Sequence, residues 1–328
     1  MKVRDFKSPA SAIPPRSLGQ RVNHGPAIMS SVLEQQGCYL SDMHLVEHCP
    51  RVLFVGGLDP SGAAGLGADV KTAQELGAFA SSVATAITVQ NRFGVSDVMP
   101  LTASLVGAQM DACWADAPFE AVKTGMLVSG DIVRALAQRM GSWGSQTKLI
   151  VDPVLRSTSG RSLLDEDGRR SLIDDLLPKA ALITPNLLEA EELTGLVARD
   201  VDDMSRMADH FLAMGANAVL IKGGHLLERD PDATEVVDLL RTLDGEEYRL
   251  ARPRLHPAGS RGTGCTLASA IAAGLAEGFT LRAAVEKACE FVHAALLGST
   301  ALKPTGALFH AAHRLHAAHR LHAAHRQS

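Results

Sequence analysis

Apolar runs a few residues long, each ended by glycine, proline or a polar group, alternate along this chain with stretches whose apolar residues return every three or four positions. Val52-Leu53-Phe54-Val55 stops at Gly56-Gly57 and reads as a buried parallel strand. Leu66, Val70, Ala73 and Leu76 then follow helical spacing, with Gly77 as the stop. The alternation continues with strands at 83–89, 121–123, 149–151, 180–184 and 218–221 and with helices at 105–114, 131–140 and 204–214. This order predicts an α/β fold, a mostly parallel central sheet with helices on both faces. Segments 234–240 and 248–250, on either side of Asp244-Gly245, predict an antiparallel hairpin at the sheet edge. Helices over 265–277 and 281–297 complete the pattern.

The two ends lack this order. Residues 1–50 carry no sustained period, and 8–15 mix Ser, Ala and Pro as a flexible leader does. The basic residues Lys2, Arg4, Lys7, Arg16 and Arg21 precede no apolar core, so the leader is not read as a secretory signal. A disordered extension, or a start upstream of a true one at Met29, is preferred to a transit peptide. From His310 the chain repeats His-Ala-Ala-His-Arg-Leu, placing six histidines three residues apart. Such spacing suits a shared transition metal, but a solvated repeat expansion is the simpler reading. The expected organisation is therefore an extension over 1–50, one domain over 51–302 and a tail over 303–328.

Composition narrows the class. A chain of 328 residues with 46% hydrophobic content suffices for one large core. A net charge of −4 gives no sign of a nucleic-acid partner. No apolar run has the length of a membrane span. Five dispersed cysteines without a CxxC pair argue against a disulfide framework or zinc cage and for a reducing, cytoplasmic setting.

Candidate chemistry concentrates where the predicted strands end. Gly259-Ser260-Arg261-Gly262-Thr263-Gly264-Cys265 stands directly before an apolar-periodic helix. Glycines there let backbone approach a ligand, and the first-turn N–H groups and helix dipole favour an anion. A cysteine in that position is expected to have a depressed pKa and to offer a thiolate near neutral pH. An anion hole beside a base is what moving a phosphoryl group onto a hydroxyl requires. A glycine-rich loop with a buried, inert Cys is the other reading, and the segment alone leaves both open. The turn from Gly56 to Gly65 resembles a P-loop in the spacing of Gly57 and Gly62, but Ala63-Ala64 replaces the Lys-Ser/Thr pair, and no GxGxxG is present.

Asp152-Pro153, Thr184-Pro185-Asn186 with Glu189, and Lys222-Gly223-Gly224-His225 each follow a predicted strand. Singly these are a turn, a helix N-cap with its capping box, and a surface lysine. Together they share one rim of a parallel sheet, where a carboxylate, an Asn/Glu pair and a lysine would make a Mg²⁺–ATP site.

In this order the segments resemble the hydroxymethylpyrimidine/phosphomethylpyrimidine kinases, relatives of ribokinase, from about residue 52 to 302. The resemblance rests on Asp59-Pro60-Ser61-Gly62 with Asp69 and Lys71, Val89-Gln90-Asn91, Lys123-Thr124-Gly125-Met126-Leu127, Asp152-Pro153-Val154, Thr184-Pro185-Asn186 with Glu189, Lys222-Gly223-Gly224-His225 and Gly262-Thr263-Gly264-Cys265. It implies a ribokinase-like kinase domain that uses ATP and Mg²⁺ in thiamine biosynthesis and forms a homodimer. Cys265 would be the base, at the position ribokinase relatives fill with Asp, and Gly262, Thr263 and Gly264 the anion hole. Gln90 would pair with the aminopyrimidine edge, and Gly57, Asp69, Thr88 and Met126 would line the pyrimidine pocket. Asn186 and Glu189 would organise Mg²⁺ through water, Lys222 would reach the phosphates, and Asp152 would lie near metal and transferring phosphate.

Two departures stand out: Leu58 replaces a hydroxyl residue in the first loop, and Arg261 replaces the His that commonly precedes Gly-Thr-Gly-Cys. Arg261 could bind phosphate bidentately. These departures leave substrate identity and the second phosphorylation open. A pyridoxal kinase is the nearest alternative, disfavoured by Gln90, whose amide suits an amine beside a ring nitrogen. A silent pyrimidine-binding regulator would be expected to lack base, anion hole or metal pair.

Overall fold

Along the first strand, β1 (Arg51–Leu58), Val52 and Phe54 turn to one face and Leu53 and Val55 to the other, and all four are fully buried. A strand apolar on both sides needs a helical layer on each face, and the chain supplies two. In the computed structural model the chain is described over residues 48–157, 160–230, 232–256, 260–302 and 305–312. The N-terminal extension up to residue 47, Gly259 and the repeat from residue 313 lie outside the described residues.

The elements follow as α1 (Gly65–Glu75), β2 (Phe79–Asn91), β3 (Gly94–Pro100), α2 (Ala103–Asp116), β4 (Ala121–Thr124), α3 (Gly130–Trp143) and β5 (Lys148–Val151). After α4 (Glu166–Ser171) come β6 (Leu182–Ile183), α5 (Leu187–Thr194), α6 (Val201–Ala213), β7 (Ala218–Ile221), β8 (Glu235–Thr242) and β9 (Glu247–Pro253). The last two helices are α7 (Thr263–Ala276) and α8 (Leu281–Leu297). The sheet runs β3-β2-β1-β4-β5-β6-β7-β8-β9. Strands β2 to β7 in that order are parallel, and both edges are antiparallel.

Helices α1, α7 and α8 cover the face that carries Val52 and Phe54, while α2, α3, α5 and α6 cover the face that carries Leu53 and Val55. Sequence explains the docking. In α6, Met204, Met207, Ala208 and Phe211 form one buried stripe, and the Asp200 side chain caps the first turn by accepting from Asp203 N–H. In α7 nearly every residue from Thr266 to Ala273 is buried, and its alanines allow close approach on all sides.

The fold class and the hairpin around Gly245 agree with the sequence reading. Strand β3 is an addition: it pairs antiparallel with β2, from Ala86 opposite Pro100 to Asn91 opposite Gly94. Its residues are largely exposed, so no apolar run marked it. The C-terminal boundary is a correction. Leu308, His310 and Ala312 are buried against the helices, so the packed chain extends beyond residue 302 and takes in the first histidine of the repeat. Among the described residues no helix is long and apolar enough to cross a membrane.

Candidate active site

Strand β1 is followed in space by β2 on one side and β4 on the other, so connections leave its C-terminal end in opposite directions and open a crevice there. The glycine-rich turn after β1 borders that crevice. Asp59 shapes the turn by accepting from Ser61 N–H at 2.9 Å, Ser61 Oγ at 2.7 Å and Ala64 N–H at 3.0 Å. The second glycine-rich turn, 260–265, lies against the first. Gly262 has φ 82°, and a Cβ there would collide with the Ala63 carbonyl, so the close approach of the two backbones requires glycine.

Gly262 is the N-cap of α7 and supplies no side-chain cap. The N–H groups of Gly264 and Cys265 belong to the first turn, precede the first intrahelical bond (Thr266 N–H to Gly262 O), and form the donor end of the helix. Lys222 faces this end, since a Cβ on Gly264 would lie 3.2 Å from its Nζ. Lys222 donates to Asp152 Oδ1 at 3.0 Å, and Thr184 Oγ1 lies 3.3 Å from the same oxygen. Asn186 and Glu189 form a reciprocal capping box at the start of α5, Asn186 N–H donating at 2.8 Å and Glu189 N–H at 2.9 Å. Burial pushes Glu189 up to about 7, against the pull of the Lys222 charge and with help from the Asp152 carboxylate. Asp152, Asn186, Glu189, Lys222 and the 262–265 turn are thus brought together.

The expected pyrimidine pocket is assembled in part. Gly57 adjoins Met126, whose Sδ would stand 3.0 Å from a Cβ at Gly57. Thr88 Oγ1 donates to Leu58 O at 3.0 Å and lies 3.2 Å from Gln90 Oε1. Ala86, Met126 and Leu163 make a small apolar cluster, with Val98, Val128 and Val154 packed on it. Apolar side chains and the polar Thr88–Gln90 pair thus both flank the end of β1. Asp69 on α1 is buried, its carboxylate bonded to Lys123 Nζ at 2.9 Å and accepting from Ser269 Oγ at 2.7 Å.

Cys265 departs from the sequence expectation in its acidity. Burial pushes the thiol up to about 11, and the carboxylates of Asp69 and Asp152 add to the rise. The charge of Lys123 and a hydrogen bond from Gly65 N–H act the other way without overcoming burial. A helix N-terminus lowers a thiol pKa when the sulfur is hydrated; here desolvation is the larger effect. Arg261 has partners within the protein. Its Nη2 donates to Asp59 Oδ2 at 3.3 Å and to Ser61 Oγ at 3.2 Å, tying the two glycine-rich turns together.

Lys123 is the site residue that the sequence analysis quoted but gave no role. It has no solvent exposure, and its ammonium is held charged by Asp69, with further contributions from Cys265 and Asp152. A lysine inside an apolar strand was the available signal, since lysines are almost never fully buried unless paired.

A glycine-lined helix N-terminus, a lysine–aspartate pair beside it and an adjoining apolar cluster, all on the C-terminal rim of a parallel sheet, define a kinase of the ribokinase-like class. Comparison with known proteins narrows the class. The profile described as Phosphomethylpyrimidine kinase matches residues 59–308. A hydroxymethylpyrimidine/phosphomethylpyrimidine kinase of Rhizobium meliloti (strain 1021) is 43% identical over 253 residues, covering 76% of this chain and 92% of the relative. Among solved structures, a phosphomethylpyrimidine kinase from Clostridium difficile 630 is 38% identical with a TM-score of 0.63, covering 74% of this chain and 98% of that one. The pyridoxal kinase of Staphylococcus aureus in complex with ADP is 32% identical with a TM-score of 0.73, covering 81% and 95%. This chain belongs to the phosphomethylpyrimidine kinase family.

Proposed function

We propose that this enzyme transfers the γ-phosphoryl group of ATP to the hydroxymethyl group of 4-amino-5-hydroxymethyl-2-methylpyrimidine, and then a second phosphoryl group to the resulting monophosphate. The observation that supports this reading is Met126 against Gly57, with Thr88 and Gln90 beside the end of the same strand, on the sheet rim that also carries the 262–265 turn. Gln90 would bind the exocyclic amine and adjacent ring nitrogen. The N–H groups of Gly264 and Cys265 would receive the negative oxygens of the transferring group, with Lys222 beside them. Cys265 would accept the hydroxyl proton as the oxygen attacks phosphorus and ADP leaves. Because the thiol is held protonated by burial, it must first lose its own proton, and Lys123 is the fixed cation that favours the thiolate.

The donor set fits Mg²⁺ held through water. Asp152 and Glu189 bring two carboxylates together beside Lys222, and burial, with a lesser contribution from the Asp152 charge, raises Glu189 to about 7. Among the described residues no group of three or more His, Cys, Asp or Glu forms a metal cage. The ion, when bound, neutralises charge on the phosphates. Cys49, Cys113, Cys265 and Cys289 are free thiols, which supports a reducing, cytoplasmic setting; the homodimer implied by the resemblance is checked by sedimentation.

The test is ADP release with hydroxymethylpyrimidine and with pyridoxal side by side, for the wild type and for Cys265→Ala. The pyrimidine should be the better substrate, and the variant should lose about two to four orders of magnitude in kcat. Preference for pyridoxal would reassign the substrate, and near-wild-type kcat in the variant would remove Cys265 from the chemistry.

A further inference from the structure

The segment 305–312, which the repeat pattern assigned to a solvated tail, returns to the turn that carries the anion hole. Arg261 N–H donates to Gly306 O at 3.0 Å, and Arg261 and Ala307 form an isolated parallel bridge. Phe309 N–H donates to Ala295 O of α8 at 3.3 Å, and Gly298 packs so closely that a Cβ there would stand 2.6 Å from that of Ala312. His310 Nε2 lies 3.1 Å from Thr266 Oγ1, and both residues are buried. Thr266 directly follows Cys265, and its N–H donates to Gly262 O at 2.8 Å. One short segment therefore grips the turn at Arg261, just before it, and at Thr266, just after it.

The turn has reason to need this grip. Its sequence is Gly-Thr-Gly, its N-cap provides no side-chain acceptor, and glycine loses the most conformational freedom on being fixed. Donors stabilise a transferring phosphoryl group only when they are held in place beforehand. We propose that residues 305–312 form a clasp that pre-sets the anion hole, with His310 as a positioning residue acting through Thr266. The proposal rests on the reading of 262–265 as the anion hole, and its test separates the two.

Full-length His310→Leu, His310→Gln, Thr266→Val and Cys265→Ala are compared by ADP release with saturating hydroxymethylpyrimidine and Mg²⁺–ATP, well below each melting temperature. His310→Leu and Thr266→Val should each lose roughly ten- to a hundredfold in kcat, the scale of a misplacement near an ångström, with little change in the pyrimidine KM. His310→Gln, which keeps a polar atom near the place of Nε2, should retain most of kcat. The double variant Thr266→Val/His310→Leu should be no worse than either single one, because both break the same link. If His310→Leu does not fold, Thr266→Val, which keeps the shape of the side chain, decides the matter. Folded variants with wild-type kcat beside an inactive Cys265→Ala would overturn the clasp and leave the anion hole standing. An active Cys265→Ala would instead overturn the assignment of the turn as the catalytic site.

Discussion

Replacing Lys123 by Met would strand the Asp69 carboxylate in a place without water. The two charges are 2.9 Å apart and both side chains are essentially unexposed. At an effective dielectric constant of about 20 their attraction is about 6 kcal/mol, and desolvation of the two ions, several kcal/mol each, cancels most of it. The pair as a whole therefore adds little to stability, whereas half of it is costly: removal of one partner from a buried pair costs roughly 3–5 kcal/mol. For a domain of this size that corresponds to a fall in melting temperature of roughly 6–20 °C. Asp69→Asn should be destabilising for the reciprocal reason. The double variant Lys123→Met/Asp69→Asn should recover most of the loss, since it removes both charges and leaves Ser269 with an acceptor. Urea unfolding of the four proteins closes the cycle, with an expected coupling of at least about 2 kcal/mol.

The same double variant reports on Cys265. Lys123 lowers the thiol pKa by more than Asp69 raises it, so losing both should make alkylation of Cys265 by iodoacetamide slower at pH values below the thiol pKa of about 11. Additive stability losses, or a cost below about 1 kcal/mol for Lys123→Met, would refute the buried pair and the electrostatic role derived from it.

Gln90→Leu keeps similar bulk but leaves the polar edge of the substrate unpaired, at roughly 1–3 kcal/mol, so kcat/KM for hydroxymethylpyrimidine should fall roughly ten- to a hundredfold. Residual pyridoxal phosphorylation should change much less, and equal losses on both would make Gln90 a packing residue. His310 is pushed down to about 4 by burial, with the Lys71 charge adding to the shift, so the folded chain keeps it neutral while the unfolded chain protonates it below its ordinary 6.5. Its contribution to stability is therefore present above pH 6.5 and lost as pH falls toward 4, in total about 3 kcal/mol. Melting curves recorded between those limits should fall more steeply for the wild type than for His310→Leu, and parallel curves would count against a buried neutral imidazole.

Short apolar runs determined the parallel core by themselves, because a strand buried on both faces, such as 52–55, is apolar wherever its side chains have no polar partner. Helical spacing determined α1, α6 and α8 in the same way, and the order of motifs was enough to name the family. Strand β3 was not legible, because an exposed edge strand needs no apolar pattern and its partner β2 supplies the register. Nor was the docking of 305–312. A histidine within a His-Ala-Ala repeat carries no local mark of burial, and only the proximity of α7 and α8 gives Leu308, His310 and Ala312 something to pack against.

The site divides along the same line. Sequence placed Cys265 at a helix N-terminus and Lys222, Asp152, Asn186 and Glu189 at strand ends, since those positions follow from the element pattern. Tertiary structure decided their state. Desolvation of the thiol raises Cys265 instead of lowering it, and Arg261 finds Asp59 and Ser61 of a turn some two hundred residues earlier. Lys123 finds Asp69 from a separate helix. Motif spacing can place a donor or an acid on the rim of a sheet. Its pKa and its partner depend on what the rest of the chain packs around it, because desolvation and ion pairing are set by neighbours distant in sequence.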